Sequence, residues 1–116
     1  MDTTERELDV VLRWHDAVNH RDTETIRDLT TADVRMVGPR GSERGQEMLV
    51  GWIHRSGIRL TVRAHHVTGN AIVVEEDAQW EGDPEIHRVA TVFRLTNGLI
   101  SEIGRHATLE DAMRHA

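Results

Sequence analysis

From Glu5 to His20, the apolar residues Leu8, Val11, Leu12 and Val18 recur at helical spacing while Glu5, Arg6, Asp9, Arg13 and Asp16 supply a polar face, which predicts an amphipathic helix. Asp22 then stands as an N-cap for a short helix carrying Ile26 and Leu29, with Glu24 in its first turn where the helix dipole favours acid. Asp33 to Val37 alternates as a strand and is stopped by Gly38-Pro39. Between Ser42 and Arg55, the residues Met48, Leu49, Trp52 and Ile53 form an apolar stripe, and Gly57 sits where a helix ends; a third helix is expected there. Four strands follow, Ile58 to Thr68, Ala71 to Glu81, Glu85 to Thr96 and Leu99 to Ala107. The separators Thr68-Gly69-Asn70, Gly82-Asp83-Pro84 and Asn97-Gly98 all carry turn chemistry, so the strands should form an antiparallel meander. Thr108 caps a final short helix, with Asp111 three residues on.

Strand side chains alternate faces, so each strand divides into an inner and an outer row. In VVEEDAQW, residues 73 to 80, one row holds Ile72, Val74, Glu76, Ala78 and Trp80, and the other Val73, Glu75, Asp77 and Gln79. Glu75 and Asp77 therefore fall on the outer face, within reach of Arg63 and His65 across the strand pair. Glu76 alone among the three acids stands in an apolar row, where a carboxylate needs a counterion or a function. The preceding strand divides into Ile58, Leu60, Val62, Ala64 and His66 inward against Arg59, Thr61, Arg63 and His65 outward. In the last strand Arg105 faces Glu76 if Ile103 and Ala107 point inward, and His106 does so if the register slips by one.

Composition narrows the function classes. A length of 116 residues with 38% hydrophobic and 29% charged content suits one domain spanning 1–116. The 20 acids against 14 basic residues give a net charge of -6, which repels polyanions, and the four aromatics Trp14, Trp52, Trp80 and Phe93 offer few stacking platforms, so no nucleic acid is expected as a partner. No cysteine is present, which removes disulfides, thiolate metal sites and cysteine nucleophiles. The acidic N-terminus MDTTERELD is unlike a secretory signal and no apolar run approaches a membrane span, so a cytoplasmic location with no membrane partner is expected.

The order helix, short helix, strand, helix and four-strand meander resembles the nuclear transport factor 2-like superfamily. Within it, VVLRWHDAVNHRDTETIRDL, VGPRGSERGQEML and VATVFRLTNGLISEI are similar to the corresponding segments of the SnoaL-like polyketide cyclase and ketosteroid isomerase-like branch. The resemblance implies an α+β, cystatin-like cone, with a curved antiparallel sheet wrapped around a long N-terminal helix, two or three further short helices and a pocket for a small apolar organic molecule. Carried over by position, the isomerase's oxyanion-donating tyrosine falls on Trp14, its general-base aspartate on Gly38 and its second donor on Thr91. Indole and threonine can donate a hydrogen bond, but glycine cannot abstract a proton, so steroid isomerisation by the known mechanism is not expected.

Two functional classes stay open, an isomerase, cyclase or dehydratase working by proton transfer, and a non-catalytic ligand-binding or dimerisation module. For the enzyme, Glu76 is the expected base, with His87, His106 or Arg105 as partner and Trp14 or Thr91 as hydrogen-bond donors. The ligand-binding set is Trp14, Trp52, His66, Trp80, Thr91, Phe93 and Arg105. For the module, a buried salt bridge from Glu76 to Arg105 or another basic group is the expected arrangement. His15, His66, His87 and His106 are the histidines expected near the cavity. No HxH or HxxxH spacing appears among the eight histidines, so no metal or other cofactor is expected. A homodimer through the outer sheet face is the expected assembly.

Overall fold

A computed structural model describes residues 2–38 and 40–116; Pro39, half of the expected Gly38-Pro39 strand stop, lies outside the described residues. Helix α1 (Thr3–Asn19) begins at Asp2, whose side chain accepts the Glu5 amide at 2.8 Å. Its buried residues Val11, Trp14, His15 and Val18 are spaced by three and four, one stripe along the helix. Helix α2 (Thr23–Asp28) is capped by Asp22. Strand β1 (Thr30–Gly38) is longer than its alternating centre suggests, and a short strand β2 (Gly41–Arg44) folds back on it. The third helix, α3 (Gln46–Ser56), therefore starts four residues later than Ser42. It ends at Gly57, left-handed at φ 60°, where a Cβ would run into the Glu81 side chain.

The meander is β3 (Arg59–Val67), β4 (Ile72–Gln79), β5 (His87–Thr96) and β6 (Leu99–His106), followed by α4 (Leu109–His115) capped by Thr108. The curved sheet runs β2-β1-β6-β5-β4-β3 and is antiparallel except where β1 lies parallel to β6. That pair departs from the fully antiparallel expectation because β1 and β6 are joined through α3 and the whole meander rather than a hairpin. No helix of the described residues is long and apolar enough to cross a membrane.

A bulge in β3 corrects the face assignment of that strand. Val62 pairs with Glu76 but Ala64 pairs with Glu75, so Arg63 is an extra residue and the alternation reverses beyond it. Ala64 and His66 consequently take the outer row and His65 the inner one. The main core lies between the concave face and helices α1 to α3. The outer row is not all solvated either: Val73, Ala90 and Val92 are buried beneath Ala112 of α4. At the far edge, the Asn19 side chain donates to the Leu60 carbonyl at 2.7 Å and accepts its amide at 2.8 Å, tying the end of α1 to β3.

Candidate functional site

The concave face borders a half-open cavity of about 650 Å³, a size suited to a small organic molecule. Trp14 comes from α1, Leu49 and Trp52 from α3, and Glu76, Thr91 and Arg105 from three adjacent strands; the exposed β1–β2 hairpin with Arg40 and Glu43 forms the rim. Gly38, onto which the resemblance carries the isomerase base, also lies on this rim.

Glu76 is 1% exposed, and its basic partner is His15, which corrects the expectation of Arg105. The reason is the docking of α1. Val11, Trp14, His15 and Val18 share its buried stripe, and the one polar member of that stripe meets the one acid of the inner β4 row. The His15 Nδ1 lies 2.7 Å from the Val11 carbonyl. A carbonyl only accepts, so Nδ1 carries a proton and Nε2 is the atom that bonds the Glu76 Oε2. One further proton is shared in that bond, which makes the dyad neutral overall whether it is written as imidazolium with carboxylate or imidazole with carboxylic acid. The other oxygen, Oε1, accepts the Thr91 hydroxyl at 2.5 Å. Phe93 packs edge-on against both Trp14 and tilted against His15, closing the dyad from behind.

Arg105 and Thr91 are direct partners across β5 and β6, so the register turns Arg105, not His106, toward the cavity. Its guanidinium carbon sits 5.7 Å from the Trp52 ring centre and 5.1 Å from that of Trp80. Burial pushes the guanidinium down from its ordinary value, and the charge of Glu76 opposes that shift. The Trp14 Nε1 and Arg105 Nη1 are both buried and have no hydrogen-bond partner among the described residues. Two residues that line the cavity thus each carry an uncommitted donor.

The other expected residues lie elsewhere. His106 is on the outer face, bonded to Asp111 at 2.9 Å and stacked on His115, and these mutual contacts account for the cluster the three residues form. His87 pairs with Asp83 at 3.0 Å and packs its ring on Trp80, away from Glu76. The bulge carries His66 to the outer face, where it meets Glu75 at 3.0 Å. Trp80 backs Arg105 without lining the cavity, and Phe93 is fully buried core. Asp77 bridges Arg63 and Arg88 at 2.6 and 2.7 Å on the outer face; the Arg88 and then the Arg63 hydrogen bonds hold its carboxyl below the usual range. His15 was expected near the cavity but not as the partner of Glu76, and the signal for that pairing was a histidine standing at the i+4 position from Val11 in an otherwise apolar stripe.

A family model described as SnoaL-like domain matches residues 11–103. A search of curated proteins gives no match. Among solved structures, a nuclear transport factor 2-like protein of unknown function from Cytophaga hutchinsonii superposes with TM-score 0.80 at 17% identity, over 92% of this chain and 94% of that one. A candidate ketosteroid isomerase from Kribbella flavida gives TM-score 0.77 at 19% identity, over 87% and 76%. A candidate SnoaL-like polyketide cyclase from Jannaschia superposes with TM-score 0.78 at 17% identity, over 94% and 90%. At these identities the likeness is one of fold.

Proposed function

The chain belongs to the SnoaL-like domain family, and on that premise we propose that it binds a small organic molecule in the cone and moves a proton on it through Glu76. The observation that carries this reading is the buried His15–Glu76–Thr91 constellation on the wall of a ligand-sized cavity. With His15 as imidazolium, the Glu76 carboxylate takes a proton from a carbon beside a carbonyl, and the electron pair moves to the carbonyl oxygen. The Trp14 N–H supplies a donor that stabilises the resulting enolate, the task that the resemblance gives to the isomerases' tyrosine at this position. Returning the proton to another carbon completes an isomerisation; expelling a neighbouring hydroxyl as water completes a dehydration.

Deuterium exchange tests the proposal. Proteins incubated with 2-tetralone or 1-indanone in deuterated buffer should accelerate loss of the α-proton NMR signals, and Glu76→Gln should return the rate to that of buffer. Exchange that is no faster with the wild-type protein, or equally fast with the variant, counts against it.

A second reading, ligand binding without chemistry, is favoured by a specific observation: both Glu76 oxygens are already engaged. Ligands that raise the melting temperature without any exchange would favour it. Pairing of two copies belongs to either reading and would use the charged part of the outer face that α4 leaves open, around Asp77; sedimentation at micromolar concentration tests it.

A further inference from the structure

We infer that the occupant of the cone is an anion, a compact aromatic or alicyclic carboxylic acid whose carboxylate sits on Arg105 while its hydrocarbon body fills the apolar wall. This rests on the reading that the cavity binds a small molecule and adds what that molecule must carry.

Arg105 differs from the chain's paired arginines. Arg13, Arg27, Arg35, Arg63, Arg88, Arg94 and Arg114 each have a carboxylate within salt-bridge distance, whereas Arg105 has none and is the arginine with a buried, unpartnered nitrogen among the described residues. The acid nearest in the fold, Glu76, is committed to His15 and Thr91. The two indoles approach the cation without consuming its N–H groups, because a ring face attracts charge and does not accept a fork of hydrogen bonds. Trp52 and Trp80 therefore hold the guanidinium in position while Nη1 stays buried and unpartnered. Such a held, partly desolvated fork matches a carboxylate, which can accept two parallel N–H bonds.

The charge of the cavity points the same way. The His15–Glu76 dyad is neutral in either proton arrangement, and Arg40 and Glu43 on the rim offset one another, which leaves Arg105 as an uncompensated positive charge. The indole N–H of Trp14, 3% exposed and also unpartnered, offers a further donor to the same occupant. Leu49, Ile58, Leu60 and Ile103 supply the wall for an apolar body. A cation would be repelled, and a neutral isostere would leave the partly desolvated fork, with its buried Nη1, without a charged acceptor, the kind of arrangement that discriminates between similar ligands. Arg105 pairs with Thr91 across the sheet and Thr91 bonds Glu76, so a carboxylate on Arg105 brings the ligand's adjoining carbons toward the Glu76 side of the cavity.

The test compares 2-naphthoate with 2-naphthamide, which share a body and differ in charge, by titration calorimetry at pH 7 and by thermal shift. The naphthoate is expected to bind at least about tenfold more tightly, the scale of a charge-assisted hydrogen bond, and Arg105→Met should abolish that preference while Arg105→Lys retains part of it. Equal affinities for acid and amide, or a preference that survives in a folded Arg105→Met protein, overturn the inference but leave small-molecule binding standing. Failure of both compounds to bind overturns the inference and the binding reading together. The wild-type comparison decides the matter even if Arg105→Met does not fold, and because it reads binding alone it is independent of the deuterium exchange experiment.

Discussion

His15 and Glu76, 61 residues apart in the chain, are joined in the interior by a hydrogen bond that no solvent reaches: their side chains are 3% and 1% exposed. A buried pair of this kind penalises loss of either member more than loss of both, because the survivor is left without its partner in a medium that cannot solvate it. Glu76→Ala and His15→Ala are each expected to lower stability by about 3–5 kcal/mol, and the double variant by clearly less than the sum. Chemical denaturation of the four proteins in a double-mutant cycle checks this; strict additivity would mean the two side chains do not interact.

The neighbouring acids should behave differently. Glu75→Gln and Asp77→Asn alter pairs with His66, Arg63 and Arg88 that lie near solvent, where an ion pair is worth at most about 1 kcal/mol. Glu76→Gln should therefore shift the urea midpoint more than either. Equal, small shifts at all three positions would contradict the separation of these carboxylates onto opposite faces of β4.

Acid sensitivity follows from carboxyl groups whose folded-state affinity for protons is reduced. Asp77, held down first by Arg88 and then by Arg63, and Asp111, held down chiefly by His106, both lie below the ordinary aspartate value of 3.8. Groups depressed on folding contribute fully above their unfolded value and lose that contribution as pH falls through the folded one. The denaturation midpoint should thus begin to drop below about pH 5 and fall steadily toward pH 3. In Asp77→Asn the drop should be shallower, and an unchanged slope would exclude Asp77 as a contributor.

Histidine reactivity offers a test of placement that needs no substitution. Diethyl pyrocarbonate followed by peptide mass spectrometry should modify His15, 2% exposed, slowest of the eight histidines. His66, carried outward by the bulge, should react readily. Rapid modification of His15 in the folded protein would be incompatible with its burial against Phe93.

At the end of α3, Gly57→Ala should destabilise by on the order of 1–3 kcal/mol. Its φ of 60° is unfavourable for a side chain, and the new methyl meets Glu81 as well. Thermal unfolding of this variant beside Gly51→Ala, whose Cβ would meet only the movable end of Arg55, separates the two causes.

The parts of the fold that were legible are those written in local periodicity. The stripe in α1, the Gly57 terminator of α3, the turn at Asn97-Gly98 and the two-residue period of β4 that isolates Glu76 are all properties of a few consecutive residues. Strand β2 left no such mark, since all four of its residues are exposed and none alternates with an apolar neighbour. The β1–β6 pairing is also silent locally, because nothing in either strand names its neighbour. One extra residue at Arg63 reversed the second half of β3 without altering its composition, and His66 was misplaced by that reversal. For Glu76, the burial was readable from one strand, but the choice between Arg105 and His15 depends on how α1 docks, a relationship between segments rather than a pattern within one.

The tie between Asn19 and Leu60 has a consequence at the boundary of the sheet. β3 is the terminal strand, and its outward amide and carbonyl at Leu60 are the groups a strand from another molecule would have to claim. A single carboxamide already occupies both, and the bulge a few residues on breaks the ladder that would continue past it. At the opposite margin β2 is only four residues long. Neither flank offers an uninterrupted template, so edge-to-edge growth into aggregates is discouraged by one asparagine, one inserted arginine and a strand too short to recruit.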